Sequence, residues 1–198
     1  MTEKLHPDVP ENMPRMGNGF VRWLGRLLLR LHGWKVTGEL PNKKKLMVIG
    51  APHTSNWDFT LAISTIMALG VNISYFMKKE AFFWPLGGLF KKLGGIPIDR
   101  NRATNVIDQS VAEFQRRDQL WIGITPDGTR SKVTRWKSGF VRIAHGAGVP
   151  IFVIGFDAPN KRIVFDKVVE ATDQFEQQAE ELRQYINQTF VGICPENQ

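Results

Sequence analysis

Short apolar runs alternate along this chain with longer amphipathic stretches, and that alternation restricts the fold more than any other feature. Residues 46–50, 72–77, 96–98, 120–125, 151–156 and 163–169 read as strands. Residues 55–69, 82–93, 104–117 and 138–145 read as helices between them, and 173–190 as a closing helix. Strands separated by helices are joined by crossovers, which predicts a largely parallel sheet with helices on its faces. At 198 residues the chain suits a single α/β domain with a full core. In such a sheet, ligands bind outside the carboxyl ends of the strands.

An amphipathic helix precedes this pattern. Residues 1–15 are polar and proline-rich and read as a flexible tail. Residues 16–34 are apolar except for Arg22, Arg26 and Arg30, which recur every fourth residue and share one helical face. Phe20, Trp23, Leu24, Leu27, Leu28, Leu31 and Trp34 cover the other face. Such a helix lies in a membrane interface or packs on the domain, and the two readings are compatible. No run of about 18 uncharged apolar residues exists, so no membrane span is expected, and no secretory signal is evident.

The formal charge of +7 calls for an anionic partner: phosphate groups, a lipid surface or nucleic acid. No nucleic-acid module is visible, so nucleic acid is not expected. Between residues 76 and 92, Phe76, Phe82, Phe83, Trp84 and Phe90 mingle with Lys78, Lys79, Lys91 and Lys92. That mixture suits a headgroup layer, or equally a core-facing cluster with solvated lysines. The single cysteine, Cys194, excludes a disulfide framework and fits a reducing compartment.

Four segments carry candidate chemistry. In His53-Thr54-Ser55-Asn56-Trp57-Asp58, a histidine at a strand's end precedes an aspartate in the first turn of a helix. A bend between them would let the carboxylate hold one ring nitrogen and leave the other free as a base. The same residues fit a plain capping box, with Asp58 paired to Ser55 and His53 a polar loop residue. In Gly94-Gly95-Ile96-Pro97-Ile98-Asp99-Arg100, a guanidinium at a strand's end can grip a phosphate with two hydrogen bonds, or lie on the surface without a ligand. In Thr125-Pro126-Asp127-Gly128-Thr129-Arg130, glycine allows an anion to approach the backbone, and Arg130 supplies charge. That segment also fits an ordinary Pro-Asp-Gly turn. Val149-Pro150-Ile151 reads as a loop entering a buried strand. His53, Arg100 and the Asp127–Arg130 segment each follow a strand, so all three are expected at one edge of the sheet.

Taken together, these segments resemble the ordered blocks of the glycerolipid acyltransferases, the 1-acyl-glycerol-3-phosphate acyltransferase-like family with its His-x-x-x-x-Asp motif. The resemblance covers about residues 46–157, and within it Thr125 and Asp127 replace the family's usual Phe and Glu. It implies an acyltransferase domain over residues 35–198, with His53 and Asp58 catalytic. Arg100, Asp127, Gly128, Thr129 and Arg130 would bind substrate. The implied reaction moves a fatty acyl group from a CoA or acyl carrier protein thioester to the hydroxyl of a lysophospholipid such as 1-acyl-glycerol-3-phosphate. A lysolipid without phosphate, or non-catalytic binding to anionic membranes, are the alternatives. The implied partners are the donor, the acceptor and an anionic membrane surface, with the protein peripheral on the cytoplasmic face. No Gly-x-Ser-x-Gly elbow, His-Glu-x-x-His motif, His/Cys cluster or Gly-Lys-Ser/Thr loop occurs, so neither a serine acyl-enzyme nor a metal or cofactor is expected.

Overall fold

A computed structural model describes residues 7–83, 86–92, 94–98 and 103–198. Its strands are β1 (Lys35–Gly38), β2 (Lys45–Ala51), β3 (Ile73–Lys78), β4 (Gly95–Ile98), β5 (Leu120–Ile124), β6 (Ile151–Asp157) and β7 (Arg162–Val169). Its helices are α1 (Gly19–Leu31), α2 (Asn56–Leu69), α3 (Leu86–Lys92), α4 (Ala103–Arg116), α5 (Gly139–Ala147) and α6 (Phe175–Thr189). The strands form one sheet in the order β1-β7-β6-β2-β5-β3-β4. All pairings are parallel except β6 with β7. Only residues 158–161 join those two strands, too few for a crossover, so the chain must turn back on itself.

This is the expected α/β fold, with the N-terminal helix ahead of it. Strand β1 escapes the periodicity argument. It has four residues, one of them buried, and it exists because its backbone pairs with β7 across more than 120 residues of chain.

Side chains alternate across the sheet and build two cores. Met47 and Ile49 of β2, Leu120 and Ile122 of β5, and Ile151 and Val153 of β6 meet Phe114 of α4, Phe140 and Ala144 of α5, and Leu182 and Ile186 of α6. On the other face, Leu46, Val48, Trp121, Phe152, Phe156 and Phe165 meet Leu29 of α1 and Leu61, Ala68 and Leu69 of α2.

The N-terminal segment departs from expectation in two ways. Of the expected tail 1–15, residues 1–6 lie outside the described residues, and the rest is tied down. Met13 is buried, the Asn72 N–H donates to the Pro14 carbonyl at 2.8 Å, and Arg15 bridges to Val71. The helix is also shorter than 16–34, and it packs on the domain along its arginine side. Gly25 lies so close to the Ala68 backbone of α2 that no Cβ would fit, and Leu29 and Trp34 are in the core. Arg26 Nε donates to the Ala68 carbonyl at 3.3 Å, where the last carbonyls of α2 lack helical partners. Phe20, Trp23 and Leu31 remain exposed. In the central aromatic segment, Phe82 and Phe90 pack edge to face and Phe83 is exposed, while Trp84 lies outside the described residues.

Candidate active site

Strand β2 delivers Pro52-His53 to the carboxyl edge of the sheet, and α2 begins three residues later. Ser55 is its N-cap, with Oγ accepting the Trp57 N–H at 3.2 Å. Asp58 closes the capping box, and Gly70 in the left-handed conformation ends the helix. Both readings of this turn hold at once. Asp58 Oδ2 accepts the Thr54 and Ser55 N–H groups at 2.7 and 2.8 Å, and His53 Nδ1 stands 3.2 Å from the same oxygen. The bend at residues 53–55 makes this contact possible.

Asp58 is buried, and its Oδ1 takes no hydrogen bond among the described residues. The tautomer that suits a carboxylate partner carries its proton on Nδ1, leaving the Nε2 lone pair free to accept a proton. His53 is one-fifth exposed, so a substrate can reach it.

Strand β5 lies beside β2 in parallel register and brings its following loop to the same edge. Thr125 to Gly128 make a tight turn, with the Gly128 N–H on the Thr125 carbonyl at 3.1 Å and Gly128 at φ +65°. Asp127 is half-buried. Its Oδ2 accepts the His53 backbone N–H at 3.1 Å, and its Oδ1 accepts the Trp136 indole N–H. Burial pushes its carboxyl above the ordinary range, opposed by the hydrogen bonds from His53 and Trp136. Arg130 Nη1 donates to Asn56 Oδ1 at the start of α2. Thr129 and Arg130 are exposed on this loop, and Thr129 Oγ1 accepts the Ser131 N–H at 3.3 Å.

The structure therefore brings His53, Asp58, Asp127 and the Gly128-Thr129-Arg130 loop together. Asp127 is half-buried and ties the His53 backbone N–H to the Trp136 indole N–H through its two oxygens. Strand β4 pairs with β3 in parallel and ends at the same edge, but Arg100 lies outside the described residues. Val149-Pro150-Ile151 opens β6 at the opposite edge, and Val149 and Ile151 are core residues. Trp136 and Asn56 were not singled out by motif reasoning, since their contacts join positions nine and 74 residues apart.

A cavity of about 490 Å³ runs between α2 and the sheet. That size falls within the range of small-molecule sites, roughly 300–1,000 Å³. His53, Asp58 and Thr125 supply polar atoms to its lining. Ala62, Ile63 and Ile66 of α2, with Val48, Ile73, Phe76, Trp121 and Ile154 of the sheet, supply apolar walls. Phe59 lines the cavity and is two-thirds exposed, which places it at the mouth. Trp57, in the first turn of α2, is also exposed, its ring 5.4 Å from that of His32 at the end of α1. Among the described residues, no three His, Cys, Asp or Glu side chains gather as a metal site would require.

The site is thus an oriented histidine in the lining of an open apolar cavity. The chain's fold is similar to the crystal structure of the 1-acyl-sn-glycerophosphate acyltransferase PlsC from Thermotoga maritima. The TM-score is 0.58 at 15% sequence identity, over 86% of this chain and 78% of that one. No curated protein matches the sequence. The acyltransferase family model matches residues 33–157, which contain His53, Asp58 and the Asp127–Arg130 loop. On that match over more than half its length, the chain belongs to the acyltransferase family, that of the glycerolipid acyltransferases.

Proposed function

We propose that this acyltransferase moves a fatty acyl group from a CoA or acyl carrier protein thioester to the hydroxyl of a lysophospholipid such as 1-acyl-glycerol-3-phosphate. The observation that carries this reading is the apolar cavity with the His53–Asp58 pair in its lining. An acyl chain in the cavity would hold its carbonyl carbon near the imidazole. His53 Nε2 takes the proton of the acceptor hydroxyl as that oxygen attacks the thioester carbonyl. The tetrahedral intermediate then expels the thiolate, which takes the proton from the imidazolium. An ester and a free thiol result, and the histidine is restored. Asp58 keeps Nδ1 fixed and stabilises the imidazolium. Holding both reactants in place supplies much of the acceleration.

The acceptor's phosphate would rest on Arg130 and the Gly128-Thr129 backbone, with Arg100 as a further ligand. Arg130 is exposed, and its hydrogen bond to Asn56 can be exchanged. Phe20, Trp23 and Leu31 of α1, with Trp57 and with Phe59 at the cavity mouth, would face the headgroup layer of an anionic membrane on its cytoplasmic side. No helix among the described residues is long and apolar enough to cross a membrane. Residues 16–34 thus act as the membrane-interface element and 35–198 as the acyltransferase domain.

The test is acyl transfer from one acyl-CoA to a panel of lysolipids, read by mass spectrometry. His53→Ala should lower kcat by about 10²–10⁴-fold. Arg130→Ala should raise KM about tenfold for phosphate-bearing acceptors, the worth of one charge-assisted hydrogen bond, and leave neutral acceptors unchanged. A wild-type protein inert toward every lysolipid would refute the reading.

A further inference from the structure

The segment that follows α6 returns to the catalytic turn. Phe190 is buried in the core and packs on Gly155 of β6, where no Cβ would fit. Val191 bridges to Asp157, extending the end of β6, and its carbonyl accepts the Ala158 N–H at 2.9 Å. Gly192 then passes against Thr54 with no room for a side chain. The Cys194 N–H donates to Thr54 Oγ1 at 3.1 Å, and a 3-10 turn over Pro195–Asn197 brings the Asn197 amide to the Thr54 carbonyl at 3.1 Å. Gln198 locks the segment on itself, accepting the Gly192 N–H at 2.9 Å and donating to the Phe190 carbonyl at 2.8 Å.

Thr54 is the residue between His53 and the helix cap, and it is buried. Its three polar groups are all committed: N–H to Asp58, Oγ1 to Cys194, carbonyl to Asn197. Two of the three therefore belong to residues 191–198. His53 is bracketed, with its own N–H on Asp127 and the next residue gripped from α2 and from this segment. The recess lined by His53, Thr54, Asp127, Trp136, Asn197 and Gln198 has a free volume of about 10 Å³, room for about one water molecule.

We propose that residues 191–198 are a strap that sets the position of His53, with Thr54 and Asn197 as positioning residues for the transfer step. This rests on the reading of His53 as the base. A base must sit within a fraction of an ångström of its proton, and a loop needs outside support to achieve that. Asp58 fixes the ring's direction. The strap fixes the backbone from which the ring is hung.

The experiment compares Thr54→Ala with Thr54→Ser, and Asn197→Ala with Asn197→Gln, in the full chain. Both Ala variants should lose roughly 10- to 100-fold in kcat, the cost of a misplaced catalytic group, with KM for donor and acceptor within about twofold. Thr54→Ser, which keeps the acceptor oxygen, and Asn197→Gln, which keeps the amide donor, should recover most of the loss. An unchanged kcat in the Ala variants overturns the inference, and so does a loss that only tracks the unfolded fraction by circular dichroism. A second readout is the NMR signal of the His53 ring, which needs no turnover. If wild type transfers nothing to any lysolipid, the functional reading fails and the ring decides the strap. New or broadened ring signals in Asn197→Ala support it, and an unaltered ring overturns it.

Discussion

The two faces of the sheet are built from the same strands but filled differently. Toward α4, α5 and α6, β2 and β5 present Met47, Ile49, Leu120 and Ile122, all buried in one continuous core. Toward α2, the same strands present Gly50 and Gly123 at the positions nearest the carboxyl edge. At Gly123 the side chain of Ile73 already takes the place of a Cβ, whereas at Gly50 the missing side chain leaves room to the cavity. A Cβ on Gly50 would meet nothing within 4 Å, whereas Phe114, Phe140 and Ala144 on the opposite face are almost wholly enclosed. One face is solid and carries stability, and the other is hollow at the site and carries the proposed acyl chain.

The sharpest way to break this contrast is to fill the hollow face. Gly50→Leu should cut kcat/KM for the longest accepted acyl chains by about 10- to 100-fold, since each methylene that no longer fits costs about 1–3 kcal/mol. Shorter chains should be spared, and an equal loss at all lengths would sever the cavity from the acyl group. Overfilling the solid face should behave in the opposite way. Ala144→Leu should lose about 1–3 kcal/mol in urea unfolding, because the site has no space to give. Its chain-length profile should not move. Gly50→Ala should gain about 0.5–1 kcal/mol, since glycine weakens a strand and the added methyl enters open space.

The smallest effect belongs to the outer layer of the solid face. A hydrogen bond from Arg183, with a second from Gln184, lowers the Glu180 carboxyl from 4.5 to about 2. The pair's stabilisation is therefore full above 4.5 and fades as pH falls toward about 2. Over that window the melting temperature of wild type should fall slightly further than that of Glu180→Gln. The pair lies at the surface, within reach of solvent, so a large difference would contradict this picture.

Local sequence determines the elements that the sequence predicts well. The helix expected from Ser55 to about Leu69 forms over Asn56–Leu69, because its cap residues and apolar period act within a few positions. The convergence of His53 and the Asp127 loop on one edge follows from the strand-helix alternation. What could not be read depends on distant chain. Strand β1 needs β7, the Asp127–His53 hydrogen bond spans 74 residues, and the Asn197–Thr54 contact spans 143. The cavity is a lack of side chains, and glycine in a strand reads equally as a bulge, a close approach or a void. Asp127 shows the limit of residue chemistry alone. The family resemblance implied a substrate contact for it, and nothing local foretold its hydrogen bonds to the His53 N–H and the Trp136 indole.

Asp58 serves the cap and the histidine with one oxygen, and this has a consequence for how the site comes into being. Starting a helix is the uphill step, because several residues lose their freedom before bonding rewards them. At α2 the carboxylate that gathers the Thr54 and Ser55 N–H groups eases that step, and it also collects the imidazole. The His53–Asp58 contact is therefore assembled by the folding of α2 itself.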